Sequence, residues 1–193
     1  MDVCKDHWVL WRTVKALYEA ELGRLDRRVD SGVSVLHVDK ALYLVCRDFY
    51  RRYREKLLSG DFIMYHYGPY YDKLEDLLCE CERLGLIEYI VEVYLPEAPS
   101  PDIVDIDYAV QIAESQIKEI VKTYYEKRVK PLRDNVEVPP DLDEVLHRAG
   151  CSRRDLEALI EEKARVVAGS RAEHLLKIIE PDITGKKIGE IVL

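Results

Sequence analysis

Residues 61–90 read DFIMYHYGPYYDKLEDLLCECERLGLIEYI, and this stretch decides the fold. Phe62 to Tyr67 is a short apolar and aromatic run suited to extended chain. Gly68-Pro69 breaks it and is predicted to open a helix over about 70–84. Within that helix Tyr70, Leu74, Leu77, Leu78, Cys81 and Leu84 recur at helical spacing and form one apolar stripe. Gly85 supplies a helix stop. Leu86 to Leu95, rich in Ile, Val and Tyr, is the best strand in the chain, as one long strand or as a pair with a tight bend.

Upstream, a helix over about 36–58 turns Leu42, Val45, Cys46, Phe49, Tyr53 and Leu57 inward and ends at Ser59-Gly60. An earlier helix, about 7–25, carries Trp8, Trp11, Val14, Leu17, Tyr18 and Leu22 on one stripe. Downstream, Pro96, Pro99 and Pro101 mark a linker. A long helix then spans about 103–128, with Ile106, Val110, Ala113, Ile117, Ile120, Val121 and Tyr124 on one side. Pro131 and Val138-Pro139-Pro140 separate it from a helical tail of three pieces, 141–149, 153–168 and 171–180. Ser152 with Asp155, and Ser170 with Glu173, stand at capping-box spacing. The division that follows is a core with flanking helices over 1–130, its central motif at about 36–96, and a helical extension over 131–193.

Helix, short strand, Gly-Pro turn, helix ending in Gly-Leu-Ile, then strand is the order of a winged helix-turn-helix. The expected class is therefore mainly α with a small β wing. It comprises a winged-helix-like core, an additional long helix and a helical C-terminal tail. Two segments are more specific. Lys40-Ala41-Leu42-Tyr43-Leu44 is similar to a "K-x-L-Y" helix. Phe62 through Tyr71, followed by Leu84-Gly85-Leu86-Ile87, is similar to a "Y-G-P-Y … L-x-x-x-G-L-I" segment. Over about residues 36–96 the chain thus resembles winged-helix-like proteins of archaea and phages, among them the Panacea or SocA-like antitoxin family and its archaeal relatives. The resemblance implies a winged-helix core and an antitoxin-like or regulatory role.

The composition narrows the function further. At 193 residues the chain fits one domain with a large core, or one domain and a helical appendage. Hydrophobic residues are 48% and charged residues 34%, a globular and highly charged balance. Thirteen Tyr, a single Asn and abundant Glu, Lys and Arg suit a thermophile, whose intracellular proteins can carry disulfides. No apolar run is long enough to span a bilayer, and no secretory signal is visible, so a cytoplasmic location and no membrane partner are expected. The five cysteines show no metal-ligand spacing, because Cys79 and Cys81 fall on different faces of a helix.

Charge is unevenly placed. Residues 1–60 hold 12 Lys and Arg against 9 Asp and Glu, a net of +3, whereas residues 61–100 hold 2 against 9, a net of −7. The helix that would enter a DNA groove carries Asp72, Glu75, Asp76, Glu80 and Glu82 against Lys73 and Arg83. Phosphate contacts dominate nucleic-acid affinity, so that face is a poor groove reader. The leading expectation is a non-enzymatic interaction module, for a protein partner or homodimerisation, with helix 103–128 as the dimer seam. Tyr65, Tyr67, Tyr70 and Tyr71 are the candidate partner platform, although aromatic residues at such a turn more often cover a core. The runner-up is a DNA-binding regulator or antitoxin-like protein using Arg47, Arg51, Arg52, Arg54 and Lys56 on helix 36–58. No catalytic, cofactor-binding or metal-binding residues are assigned. His147 and Cys151 lack a third member, and neither a phosphate loop nor G-x-G-x-x-G is present.

Overall fold

The computed structural model describes residues 2–23, 32–65, 68–91 and 127–170. Their secondary structure is mostly helical, with small antiparallel sheets. Helix α1 (Lys5–Leu22) is followed by β1 (Val33–Ser34) and α2 (Val35–Tyr53). A hairpin of β2 (Phe62–Tyr65) and β3 (Gly68–Tyr71) leads to α3 (Leu74–Arg83) and β4 (Ile87–Ile90). Then come β5 (Arg128–Pro131), α4 (Pro140–Ala149) and α5 (Arg153–Val167).

Helix α1 is the central post. Trp8, Val14 and Leu17 are buried as the stripe predicts, and so are Val9, Leu10 and Ala16 on other sides, because helices and sheet surround it. The two indoles anchor the chain that follows β5: Trp8 Nε1 donates to the Val136 carbonyl at 3.3 Å and Trp11 Nε1 to that of Arg133 at 3.1 Å. Buried Trp normally finds such a partner.

Two helix boundaries differ from the sequence reading. Helix α2 stops at Tyr53, five residues before the expected end, because Arg54 adopts a left-handed conformation (φ 59°) and closes the last turn onto the Tyr50 carbonyl. Leu57 and Leu58 then turn into the core from non-helical chain. Residues 70–73 are not the first turn of a helix. Tyr70 and Tyr71 lie in β3, paired with Ile63 and Phe62, and the Asp72 amide continues the ladder to the Asp61 carbonyl at 2.9 Å. The Gly-Pro break is a hairpin rather than a helix entry. Pro69 fits this short strand because it lacks only a donor. The stop at Gly85 holds: its φ of 63° and the bond from Leu86 N to the Cys81 carbonyl form a Schellman closure.

In the second sheet β5 lies between β1 and β4, both antiparallel to it, with Val33 opposite Val129 and Tyr89 opposite the same residue. Gly32 (φ 72°) lets the chain into this sheet, and a Cβ there would stand 2.5 Å from the Val129 carbonyl oxygen. Gly32→Ala is expected to cost about 1 to 3 kcal/mol, read as a lowered thermal midpoint.

The expected boundary between residues 130 and 131 falls inside β5. The helices beyond it do not form a separate appendage. Leu142, Val145 and Leu146 of α4 and Leu156, Leu159, Ile160 and Val167 of α5 belong to the same buried cluster as α1 and α2. Ser152 caps α5 in the expected box with Asp155. The expected helix over 103–128 lies outside the described residues except at its end, where Lys127 and Arg128 enter β5 instead. The expected helix over 171–180 also lies outside them.

Candidate functional site

The aromatic hairpin is fastened to α2 from below. Asp39 and Lys40, consecutive in α2, are both buried and ion-paired at 2.8 Å. Lys40 Nζ also donates to the Pro69 carbonyl at 2.5 Å, and the Tyr71 amide donates to Asp39 Oδ1 at 3.0 Å. Burial pushes the Asp39 carboxyl above its ordinary value against the pull of Lys40. The rings of Tyr43, Phe62 and Tyr71 stack in series at 5.4 Å spacings. Residues 39–43 of α2 and 62–71 of the hairpin therefore meet each other, and these contacts hold the hairpin on the helix.

Of the expected tyrosine platform, Tyr71 does not reach the surface. It is fully buried, its hydroxyl accepts from the Gly60 amide at 2.9 Å and donates to Asp6 Oδ2 at 3.3 Å, and its pKa is driven up by burial and then by Asp6. Tyr70 is half-buried against the core. Tyr67 and the side chain of Tyr65 lie outside what is described. Ile63, on β2, is the large apolar residue that the hairpin exposes.

The basic face is less continuous than a single helix would make it. Arg47 lies against Asp48 at 2.7 Å and over the Tyr43 ring, partly buried rather than outward. Arg51 and Arg52 are exposed, near Asp48 (4.0 Å) and Glu162 (3.8 Å) respectively. Arg54 and Lys56 fall beyond the end of α2: Arg54 stacks over Tyr50, and Lys56 pairs with Asp61. Helix α5 is the source of part of this neutralisation. Its Lys163 pairs with Asp48 at 2.6 Å and Glu162 at 2.7 Å. Burial alone would raise the Asp48 carboxyl, but hydrogen bonds from Arg47 and Lys163 bring it below its ordinary value.

Helix α3 presents the opposite field. Asp76 and Glu82 are exposed, with Cys79 between them and Asp72 in the turn before the helix, against Lys73 and Arg83. Two of its acids are engaged by the sheet side. Glu75 accepts from the Tyr89 hydroxyl at 2.5 Å and from Lys127 Nζ at 2.8 Å, and Glu82 accepts from the Tyr89 amide at 3.2 Å. These bonds fix the orientation of α3 on β4 and leave its outward surface acidic.

A constellation that spacing alone did not single out lies at the start of α1. Cys4, His7 and Glu80 stand in line, with Cys4 Sγ 3.1 Å from His7 Nδ1 and Glu80 Oε2 2.9 Å from His7 Nε2. The sequence signal was Cys4-x-x-His7 at a helix start, whereas Glu80 arrives only through the packing of α3 on α1. The pair His147 and Cys151 is not assembled comparably: His147 is exposed, while Cys151 is buried against Tyr53 and the Ser152 carbonyl. Among the described residues, no group of three or more His, Cys, Asp or Glu is arranged to hold a metal ion. An open groove of about 550 Å³ beside Trp11 is lined by Arg12, Lys15 and Arg153 together with Glu19, Asp134, Glu137 and Glu157. That alternation gives no field of one sign for a phosphate or polyanion.

No helix among the described residues is long and apolar enough to cross a membrane. Compared with known proteins, the chain matches no family model, and neither a curated protein nor a solved structure is significantly similar to it.

Proposed function

We propose that this chain is a cytoplasmic winged-helix interaction module, not an enzyme, that uses α3 to dock a basic protein surface. The fold reading is supported by the element order α1, β1, α2, α3, β4, β5 and by the strand order β1-β5-β4, with the first strand beside the last. In this reading β2 and β3 are an insertion between the helices, and β4 and β5 are the roots of the wing. The observation that carries the function is the outward face of α3. In a DNA-binding winged helix this element enters the major groove, and Asp76 and Glu82, with Asp72 in the turn before it, would there meet phosphates of like charge. The same charges favour a partner rich in Lys and Arg and speed its encounter. The antitoxin-like resemblance fits this role, since an antitoxin must hold a protein.

The test has two arms. Labelled mixed-sequence duplex DNA is titrated with the chain at low and at near-physiological salt, and no saturable binding is expected in either. Binding that weakens steeply with salt, and that Arg51→Glu with Arg52→Glu abolishes, would replace this reading with that of a DNA-binding regulator. In the second arm, proteins retained by the chain from its host are compared with those retained by the Asp76→Lys/Glu82→Lys variant. A basic protein held by the first and lost at least ~10-fold by the second is expected from reversal of a steering face. Identical profiles from the two chains would remove α3 as the docking surface.

A further inference from the structure

The backbone at the start of α1 fixes the proton arrangement of His7. The Cys4 amide points at His7 Nδ1, 3.1 Å away. An amide N–H can only donate, so Nδ1 presents its lone pair and the ring proton sits on Nε2, donated to Glu80. The thiol of Cys4, also 3.1 Å from Nδ1, thus faces a base whose far side is held by a carboxylate. Nucleophile, base and orienting group in this sequence is the arrangement that activates a thiol. His7 is buried, with 5% of its side chain exposed, while Cys4 is only partly covered. Cys4 is also the N-cap of an 18-residue helix, whose partial positive charge favours a thiolate. The other ionisable groups around it come from three elements. Cys81 of α3 lies 3.8 Å from the His7 carbonyl, Asp141 of α4 accepts from the Lys5 amide, and Lys5 and Asp6 of α1 pair with each other.

We propose that Cys4, His7 and Glu80 form a thiol modification site that takes small disulfides. The Cys4 amide gives up Nδ1 as its acceptor, His7 Nδ1 takes the Cys4 proton, and Sγ attacks one sulfur of the disulfide. A new S–S bond forms as the old one breaks, and Cys4 is oxidised to the mixed disulfide. The departing sulfur is reduced, leaves as a thiolate and takes the proton back from His7. The remaining cysteines supply the contrast. Cys46, Cys81 and Cys151 are buried, and Cys79 is exposed on α3. On exposure alone Cys79 should react first.

The full chain is treated with 2-hydroxyethyl disulfide, a small neutral probe, between about pH 5.5 and 9, and modification is followed residue by residue by peptide mass spectrometry. Cys4 is expected to react ~10-fold faster than Cys79 near neutral pH, as activated thiols do. His7→Gln, which keeps a capping side chain at that position, should slow Cys4 to the rate of Cys79 or below. Glu80→Gln, a change at a partly exposed side chain, should slow Cys4 severalfold without touching Cys79. Equal rates for Cys4 and Cys79 in the unmodified chain, or a Cys4 rate indifferent to Glu80→Gln, would overturn the proposal.

Discussion

Lys40→Met is expected to remove about 3 to 5 kcal/mol of folding stability, a large part of what a domain of this size commonly holds. The replacement fills much the same space with an apolar chain, so packing is not the cause. The cost arises because Asp39 stays fully buried and loses the cation paired with it, and because the Pro69 carbonyl loses its donor. A urea titration should show a lower midpoint at unchanged slope. Asp39→Asn added to Lys40→Met should restore a good part of the loss, since Asn keeps an acceptor for the Tyr71 amide and carries no charge. The pH dependence has a defined sign. The folded pKa of Asp39 already lies above the ordinary carboxyl value, and removal of Lys40 takes away the main influence that lowers it. Above that ordinary value the folded variant then holds a proton that the unfolded chain has released, so stability falls as pH rises. The deficit of Lys40→Met should be smaller in mildly acidic buffer than at neutral pH. A deficit under 1 kcal/mol at neutral pH would mean that Asp39 is already protonated beside Lys40.

Much of this fold is written in local pattern. The central parts of the apolar stripes of α1, α2 and α3, the glycine stop at Gly85, the paired prolines at the start of α4 and the box at Ser152 with Asp155 are all properties of a few neighbouring residues, and these appear where the sequence puts them. The departures occur where partners distant in sequence decide. Tyr70 and Tyr71 stand at spacings that suit a helix, yet pairing with Ile63 and Phe62 holds them extended. Arg54 shows no local reason to leave the helix, since a left-handed arginine is uncommon. The inward turn of Leu57 and Leu58 onto the core is what the ended helix permits. The strand across residues 130 and 131 has a similar cause: β5 draws its neighbours from residues 33–34 and 87–90, and no pattern within 128–131 announces them.

Site residues divide the same way. The net acidity of α3 could be counted from the sequence, and its exposed positions follow from the stripe. The basic set could be counted too, but not its neutralisation, because Glu162 and Lys163 reach α2 only through the docking of α5. Tyr71 looked like a surface aromatic because five aromatic residues crowd one turn. Which of them points inward depends on the register of the hairpin, and Tyr71, opposite Phe62, is buried with it.

Asp6→Ala should produce the second large loss, about 2 to 4 kcal/mol, from a residue on the first turn of a helix, where substitution is commonly mild. Its carboxylate is the centre of a buried knot. It accepts from the Ser59 amide at 3.0 Å, the Ser59 hydroxyl at 3.2 Å, the Tyr71 hydroxyl at 3.3 Å and Lys5 Nζ at 2.6 Å. Those donors belong to α1, to the loop after α2 and to β3. Alanine would leave the Ser59 amide without an acceptor while Lys5 keeps the Leu57 carbonyl and the Ser59 hydroxyl. Tyr71→Phe should cost less, about 1 to 2 kcal/mol, for the Gly60 amide it abandons. The double variant should lose less than the two together, because both remove the same bond. The hairpin is therefore tied at two places, by Asp39 and Lys40 beneath its turn and by Asp6 at its far end. If the knot is local to that insertion, hydrogen exchange in Asp6→Ala should accelerate at Ser59 to Tyr71 before it does in the β1-β5-β4 sheet. Uniform acceleration across both sheets would instead make the hairpin an integral part of the core, without which α1 and α2 cannot stay packed.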